Sequence, residues 1–301
     1  KHLRKLNVKT SSGPDLLPAI LFKNLAHSLS FPLSFLFSKL FVLSAIPDIW
    51  KTAVITPIYK KGPPSDASNY RPISLTCIMC KLMESVIKDA MLAYLLEHGL
   101  INKQQHGFIS KRSTCSQLLE CINDWSVSLN HKQSIDVAYI DFRRAFDSVV
   151  HSKLYLKLKS LGINGNLLHW ISDFLTNRSQ AIRVANYTST FRSVLSGVPQ
   201  GSVLGPILFL VFINDIGDLF GNNLNLKLYA DDVKMYTAIS EISNVDVLQN
   251  GLLKLNEWAN EWQLSIAINK CSVLHIGNKN PCHSYNLQSV SLNNAIETTD
   301  L

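Results

Sequence analysis

The chain has 301 residues, 47% of them apolar and 17% charged, enough to bury a large core in one or two domains, and this balance excludes a disordered chain. Its 29 Lys and Arg against 22 Asp and Glu leave a formal charge of +7, a surplus that suits a polyanionic partner. The six cysteines, Cys77, Cys80, Cys115, Cys121, Cys271 and Cys282, lack the spacing of a disulfide framework and follow no signal peptide, so a reducing compartment is expected.

Ser11 to Asp15 reads as a turn, followed by a helix packed on one face through Leu17, Ile20, Leu21 and Leu25. The apolar run Phe31 to Ile46 contains Pro32 and Lys39 and is read as core rather than as a membrane span. Ala53 to Tyr59 is β-branched and apolar; it gives way to the basic loop Lys60 to Pro64 and returns through Asn69 to Ile73, a hairpin with a basic tip. Cys77 and Cys80 have metal-knuckle spacing, but a second knuckle is missing and Cys282-His283 lies in a polar tail, so no zinc site is expected. Leu82, Val86, Ala90, Met91, Tyr94 and Leu95 keep helical spacing up to the left-handed stop at Gly99. A second helix from Ser113 or Thr114 carries Leu118, Leu119, Ile122 and Trp125 on its core-facing side.

Val137 to Ile140 reads as a buried strand that ends in the charged stretch Asp141 to Asp147. Helical patterns follow at Ser152 to Leu161, closed by Gly162, and at Asn166 to Asn177, then strand-like segments at Ala181 to Ala185 and Thr190 to Leu195. A Gly-rich turn leads into Val203 to Ile213, about half the length of a membrane span and therefore core. Asn225 to Tyr229 and Val233 to Tyr236 alternate in polarity around Ala230-Asp231-Asp232, the pattern of a hairpin with carboxylates at its tip. Leu248, Leu252, Leu255 and Trp262 mark one more helix, and the mixed order predicts an α+β architecture with an antiparallel sheet. The chain begins without Met and stops at Thr299-Asp300-Leu301, so both ends are expected to be cut from something longer.

If the strand ending at Asp141 neighbours the hairpin, three carboxylates, Asp141, Asp231 and Asp232, come together as a site for hard cations. An isolated Asp-Asp pair is usually a solvated turn. Here apolar, alternating residues flank it, and uncompensated adjacent charges there would cost several kcal/mol without a cation. Two magnesium ions about 3.5 to 4 Å apart stabilise both the attacking and the leaving oxygen of nucleotide transfer.

Tyr229-Ala230-Asp231-Asp232, Ile140 to Asp147 and Ser196 to Pro206 resemble the motifs of reverse transcriptases. The resemblance continues through Asn69 to Leu75, Gln105 to Phe108, Gly13-Pro14-Asp15 and Asp173 to Gln180, in the order that jockey-like, LINE-type non-LTR retrotransposons use. It implies a right-hand polymerase fold, with fingers and an N-terminal extension in residues 1–135, a palm built on an antiparallel sheet in 136–301, and a thumb largely absent. It also implies that Asp141 and Asp231 bridge two magnesium ions, for which manganese can substitute, with Asp232 near the primer terminus.

The same resemblance assigns Lys270 as general acid toward pyrophosphate, and Phe146, five positions beyond Asp141, as the bulky residue that rejects a 2'-hydroxyl by collision. Phe142, Gln200 and Gly201 are placed with the nucleotide-binding residues, as are Arg71 and the loop lysines Lys60 and Lys61, whose cations suit a triphosphate. Arg178 is expected to face nucleic-acid backbone and Asp147 to be structural. The implied activity is RNA-directed DNA polymerisation on an RNA template from a DNA primer with deoxynucleoside triphosphates, by target-primed synthesis. Membrane association is not expected, and an endonuclease is expected elsewhere in the parent chain. Nuclear work at the integration site, after a cytoplasmic ribonucleoprotein stage, follows from the same family. Two other readings stand beside it: a group II intron or telomerase-like reverse transcriptase, and an inactive or domesticated retroelement fragment that only binds RNA.

Overall fold

The structure, a computed structural model, describes residues 1–221, 223–241 and 243–296; the end at Thr299 to Leu301 lies outside the described residues. In chain order the elements are α1 His2–Lys5, α2 Ala19–Asn24, α3 Ala26–Val42, β1 Thr52–Tyr59, β2 Tyr70–Leu75, α4 Ile78–Glu97, α5 Thr114–Asn130, β3 Ser134–Ile140, α6 His151–Ser160 and α7 Gly165–Leu175. They continue as β4 Arg178–Val184, β5 Tyr187–Thr188, β6 Arg192–Val194, α8 Gly205–Ile213, β7 Asn225–Tyr229, β8 Asp232–Ile239, α9 Ser243–Trp262, β9 Ser272–Ile276, β10 Asn286–Leu287, β11 Val290–Ser291 and β12 Asn293–Ala295. The α+β expectation holds. The chain forms two compact units, one of residues 1–100 with 149–211 and one of residues 101–148 with 212–301. They interleave along the chain, where the sequence reading draws a single boundary at 135/136, because a sheet is assembled by pairing strands from distant segments.

In the first unit the sheet runs β2-β1-β4-β5, with β6 also pairing β4. The predicted hairpin is present: β1 and β2 pair antiparallel from Val54 opposite Leu75 to Tyr59 opposite Tyr70. β4 adds parallel to β1. Ala19, Phe22, Leu33, Ile78 and Leu82 form one core cluster. The face expected of the first helix is corrected here. Leu17, Ile20, Leu21 and Leu25 are exposed, while Ala19, Phe22 and Ala26 are buried. Apolar residues surround this helix, so periodicity cannot choose its inner side. The core reading of Phe31 to Ile46 holds for Leu33 and Ile46 but fails for Phe31, which is 80% exposed, and for Phe35, Val42 and Leu43. Cys77 and Cys80 are buried free thiols; Cys77 donates to the Ile49 carbonyl at 3.4 Å, and burial pushes its thiol up to about 12.

The second unit is built on the sheet β12-β9-β3-β8-β7, antiparallel except for the β12-β9 pair. β3 alternates hardly at all: Ile135, Val137, Ala138 and Ile140 are all buried, as a strand covered on both faces requires. α5 begins at the Ser113 cap, where the hydroxyls of Ser113 and Ser116 reciprocally accept each other's backbone N–H. Its expected core face holds in part: Trp125 packs against the cluster of Cys121, Ile135, Val137 and Tyr236 and Leu118 is half-buried, but Leu119 and Ile122 are exposed and Gln117 is buried in their place. On α9, Leu248, Leu252 and Leu255 are fully buried, as predicted. In α8 every residue from Ile207 to Ile213 is buried, the mark of a core helix. Among the described residues no helix is long and apolar enough to cross a membrane.

Candidate active site

The second unit carries the carboxylates. β3 pairs β8 antiparallel with Ile140 opposite Val233, so continuing that register sets Asp141 beside Asp232. β8 in turn pairs β7, with Tyr229 opposite Asp232 and Ala230-Asp231 forming a two-residue turn. Such a tight hairpin needs a corner with positive φ, and Ala230 supplies it at 53°. An L-residue held there is strained, a condition that persists only where its surroundings impose it. Asp141 is fixed from behind as well: its carbonyl accepts from Ala267 N at 2.8 Å, and Arg143 N donates to Ser265 O at 2.8 Å. The same returning segment brings Lys270 Nζ to 3.1 Å from Asp141 Oδ2.

Thus Asp141, Asp231 and Asp232 lie at the same end of the neighbouring strands β3, β8 and β7. The closed three-carboxylate cage expected from sequence is not formed: among the described residues no group of three or more His, Cys, Asp or Glu side chains is gathered to hold a metal ion. Asp231 lies in the turn and Asp232 begins β8, so the two carboxylates come to this end of the sheet from different backbone settings. What this end offers is carboxylate oxygen from neighbouring strands, the hard donor chemistry that fits magnesium.

The segment Gln104 to Phe108 clasps the hairpin, a function that motif matching did not reveal. Leu228 N donates to Gln104 O at 3.0 Å and His106 N to Leu228 O at 2.8 Å. The buried Gln105 Oε1 accepts from Gly107 N at 2.7 Å and from Ala230 N at 2.9 Å. A Cβ on Gly107 would lie 2.3 Å from Ala230 N, so only glycine allows this approach. Phe108, with φ 57°, meets Phe146 edge to face at 6.2 Å. Behind the hairpin Lys227 Nζ lies 2.6 Å from Glu120 Oε2, which in turn lies 3.4 Å from His106 Nε2. Phe142 is corrected: it is 2% exposed and packs against the Trp258 ring, so its side chain belongs to the core rather than to a nucleotide site. Residues on either side of it alternate in direction, which sends Phe142 inward as Asp141 turns out.

The first unit carries the remaining candidates. Arg71 on β2 and the loop residues Lys60 and Lys61 are exposed at the same end of the β1-β2 hairpin. The half-buried Gln200 is tethered through its carbonyl, which accepts from Ser74 N at 2.7 Å. Gly201, at φ 101°, has Ser74 O 2.8 Å from where a Cβ would sit; the close approach it permits is to β2. The turn is also held by Glu84, fully buried, whose Oε2 accepts from Val203 N at 2.7 Å and Leu204 N at 2.9 Å at the entry to α8. Arg178 is corrected: it is 4% exposed, its guanidinium donates to Phe174 O at 2.9 Å and Trp50 O at 3.4 Å, and it lies 5.0 Å from the Phe174 ring centre. A guanidinium spent on buried carbonyls is not presented to a phosphate backbone.

Residues 58–292 match the family model described as reverse transcriptase (RNA-dependent DNA polymerase). The RNA-directed DNA polymerase from mobile element jockey of Drosophila melanogaster is 31% identical over 285 residues, which is 92% of this chain and 31% of that protein. The probable RNA-directed DNA polymerase from transposon X-element of the same species is 30% identical over 89% of this chain and 30% of its own length. The chain therefore spans about a third of the length of these relatives. Among solved structures, apo telomerase from Candida tropicalis, truncated from its C-terminal domain, superposes with a TM-score of 0.58 over 89% of this chain and 59% of that one; at 12% identity this shows the shared fold. With the motifs, the sheet register and these matches in agreement, the chain belongs to the reverse transcriptase family, and its relatives are polymerases of jockey-type non-LTR retrotransposons.

Proposed function

We propose that the chain is the polymerase core of a non-LTR retrotransposon enzyme that copies the element's RNA into DNA. The observation that carries this reading is the β3-β8-β7 register, which sets Asp141 and the Asp231-Asp232 turn at one end of these three strands. Asp141, Asp231 and Asp232 would hold two magnesium ions, or manganese in their place, which when bound stabilise the oxygens that attack and leave. The primer 3'-hydroxyl attacks the α-phosphate of a deoxynucleoside triphosphate and pyrophosphate departs. Lys270, whose Nζ lies 3.1 Å from Asp141 Oδ2, would give that leaving group a proton. Arg71, with Lys60 and Lys61, offers the triphosphate a planar fork and point charges. Gln200 meets the incoming nucleotide, and Phe146 bars a 2'-hydroxyl. Template RNA and primer DNA are held by shape, priming occurs on nicked chromosomal DNA in the nucleus after a cytoplasmic ribonucleoprotein stage, and an endonuclease acts from elsewhere in the parent polypeptide.

The test is extension of a DNA primer on an RNA template, by the chain alone and by the chain with flanking sequence to the length of its relatives. Magnesium-dependent incorporation that disappears in Asp231→Ala is the expected result. Binding of template and primer without synthesis in both forms would overturn the proposal in favour of an RNA-binding relic.

A further inference from the structure

Phe108 combines features that a packing residue does not need. It is large, aromatic and 50% exposed, yet its backbone sits at φ 57°, where a bulky side chain is a genuine outlier. It stays there because both sides of its segment are fixed. Upstream, Gln104, Gln105 and His106 are bonded to Leu228 and Ala230 of the catalytic hairpin, and Gly107 touches Ala230 N. Downstream, Arg112 donates back to the Lys103 carbonyl at 2.7 Å and closes the loop. Strain maintained by so many bonds at the carboxylate end of the strands points to a use for the ring it displays. That ring stands edge-on to Phe146, at an interplanar angle of 82°.

Phe146 itself is only half-buried, in the short 3-10 turn Ala145–Ser148 that follows Arg144, another residue at positive φ (49°). A wall that excludes one oxygen atom works only if it does not yield, and the Phe108 edge is one of the contacts that bear on the Phe146 ring. We propose that Phe108 is a positioning residue for sugar discrimination: its edge holds the Phe146 ring against the incoming nucleotide, and the Gln105-Gly107 clasp sets that wall at a fixed height relative to the carboxylate turn. The chemistry selected against is a ribonucleoside triphosphate. The inference rests on the reading of Phe146 as the residue under the sugar.

Single-nucleotide extension of a DNA primer on RNA, with matched deoxyribo- and ribonucleoside triphosphates, gives the efficiency ratio for each variant. Phe146→Ala is expected to raise ribonucleotide use relative to deoxyribonucleotide use by about tenfold or more. Phe108→Ala is expected to raise it about threefold to tenfold, the scale of an edge-on ring pair, and to add little in the Phe146→Ala background. Phe108→Leu, which keeps apolar bulk without the ring, should fall between. A folding defect lowers both efficiencies together and leaves the ratio alone. If Phe146→Ala raises the ratio while Phe108→Ala and Phe108→Leu keep the parent value, or lose both substrates alike, the positioning role is overturned and the gate stands. Should Phe146→Ala leave the ratio unchanged, the gate reading fails and this inference with it.

Discussion

Replacing Gln105 by alanine isolates the bond that shapes the catalytic turn. The side chain is 2% exposed and its Oε1 is the acceptor for two buried backbone donors, Gly107 N at 2.7 Å and Ala230 N at 2.9 Å. Orphaning each donor costs about 1 to 3 kcal/mol, and losing the side-chain methylene adds about 0.8 kcal/mol. Against this, Gln105 Nε2 is itself buried without a hydrogen-bond partner, so its removal returns about 1 to 2 kcal/mol. The net loss is about 1 to 6 kcal/mol. Because Ala230 is held at φ 53°, the loss falls first on the turn, and the Ala230 amide should exchange its hydrogen about 5-fold to 20,000-fold faster, at 1.4 kcal/mol per factor of ten. Gln105→Glu keeps an acceptor in place and removes the orphaned NH2, so its acceleration should be smaller. Hydrogen exchange on a peptide spanning residues 228 to 233 measures this directly. An alanine variant within threefold of the parent would refute the reasoning, since the donors would then be satisfied without the carboxamide.

Two more predictions concern buried groups. Glu84→Ala should lower stability by about 3 to 5 kcal/mol, because it strips Val203 N and Leu204 N of their acceptor and leaves Arg178 without a nearby counter-charge, whereas Glu84→Gln, which keeps an acceptor, should cost about 1 to 2 kcal/mol; urea midpoints that rank the two the other way round would remove Glu84 as the holder of the turn. His106 is buried, and burial holds its pKa below the usual 6.5, with Glu120 acting against the shift. The unfolded chain therefore takes up that proton first, so the contribution is full above pH 6.5 and is lost as pH falls through the depressed folded value. Glu120 is lowered from 4.5, chiefly by its hydrogen bond from Lys227, so its contribution is present above 4.5 and lost below. Stability should decline in two stages on acidification, and His106→Gln should remove the earlier one; superimposable profiles for parent and variant between pH 6.5 and 4.5 would contradict this.

The strands and the site were legible to very different depths. β3, β7 and β8 were readable because long apolar runs ending in charge admit few placements, and the hairpin register follows from a turn with only Ala230-Asp231 at its corners. The faces of α2 and α5 were not, since periodicity shows that a helix has two sides without showing which neighbour it meets. Arg178 and Phe142 were misjudged for a related reason. Residue type suggests phosphate or base, but the direction of a side chain depends on strand parity and on which carbonyls lie within reach, here those of Trp50 and Phe174. The clasp at Gln105 was present in the motif Gln105-His106-Gly107-Phe108, yet its bonds go to residue 230, a separation that no local pattern encodes.

The back of the catalytic hairpin explains why α5 defeats its own periodicity. Lys227 and Lys234 stand directly opposite each other in the β7-β8 register, and both are buried. Cross-strand partners share a face, so two ammonium groups there repel and each costs several kcal/mol to desolvate unless partnered. The partners include side chains of α5: Glu120 for Lys227 at 2.6 Å, and the Trp125 ring 5.9 Å from Lys234, which also lies 5.3 Å from Tyr139. Asp124 of the same helix accepts from Tyr236 on β8. The side of α5 toward the hairpin thus carries Glu120, Asp124 and Trp125, while Leu119 and Ile122 turn outward. Lys234 and Asp232 lie two residues apart on β8 and so on one face of the strand. α5, which brings Glu120 to Lys227 and Trp125 to Lys234, is thus the element that makes the burial of both lysines tolerable.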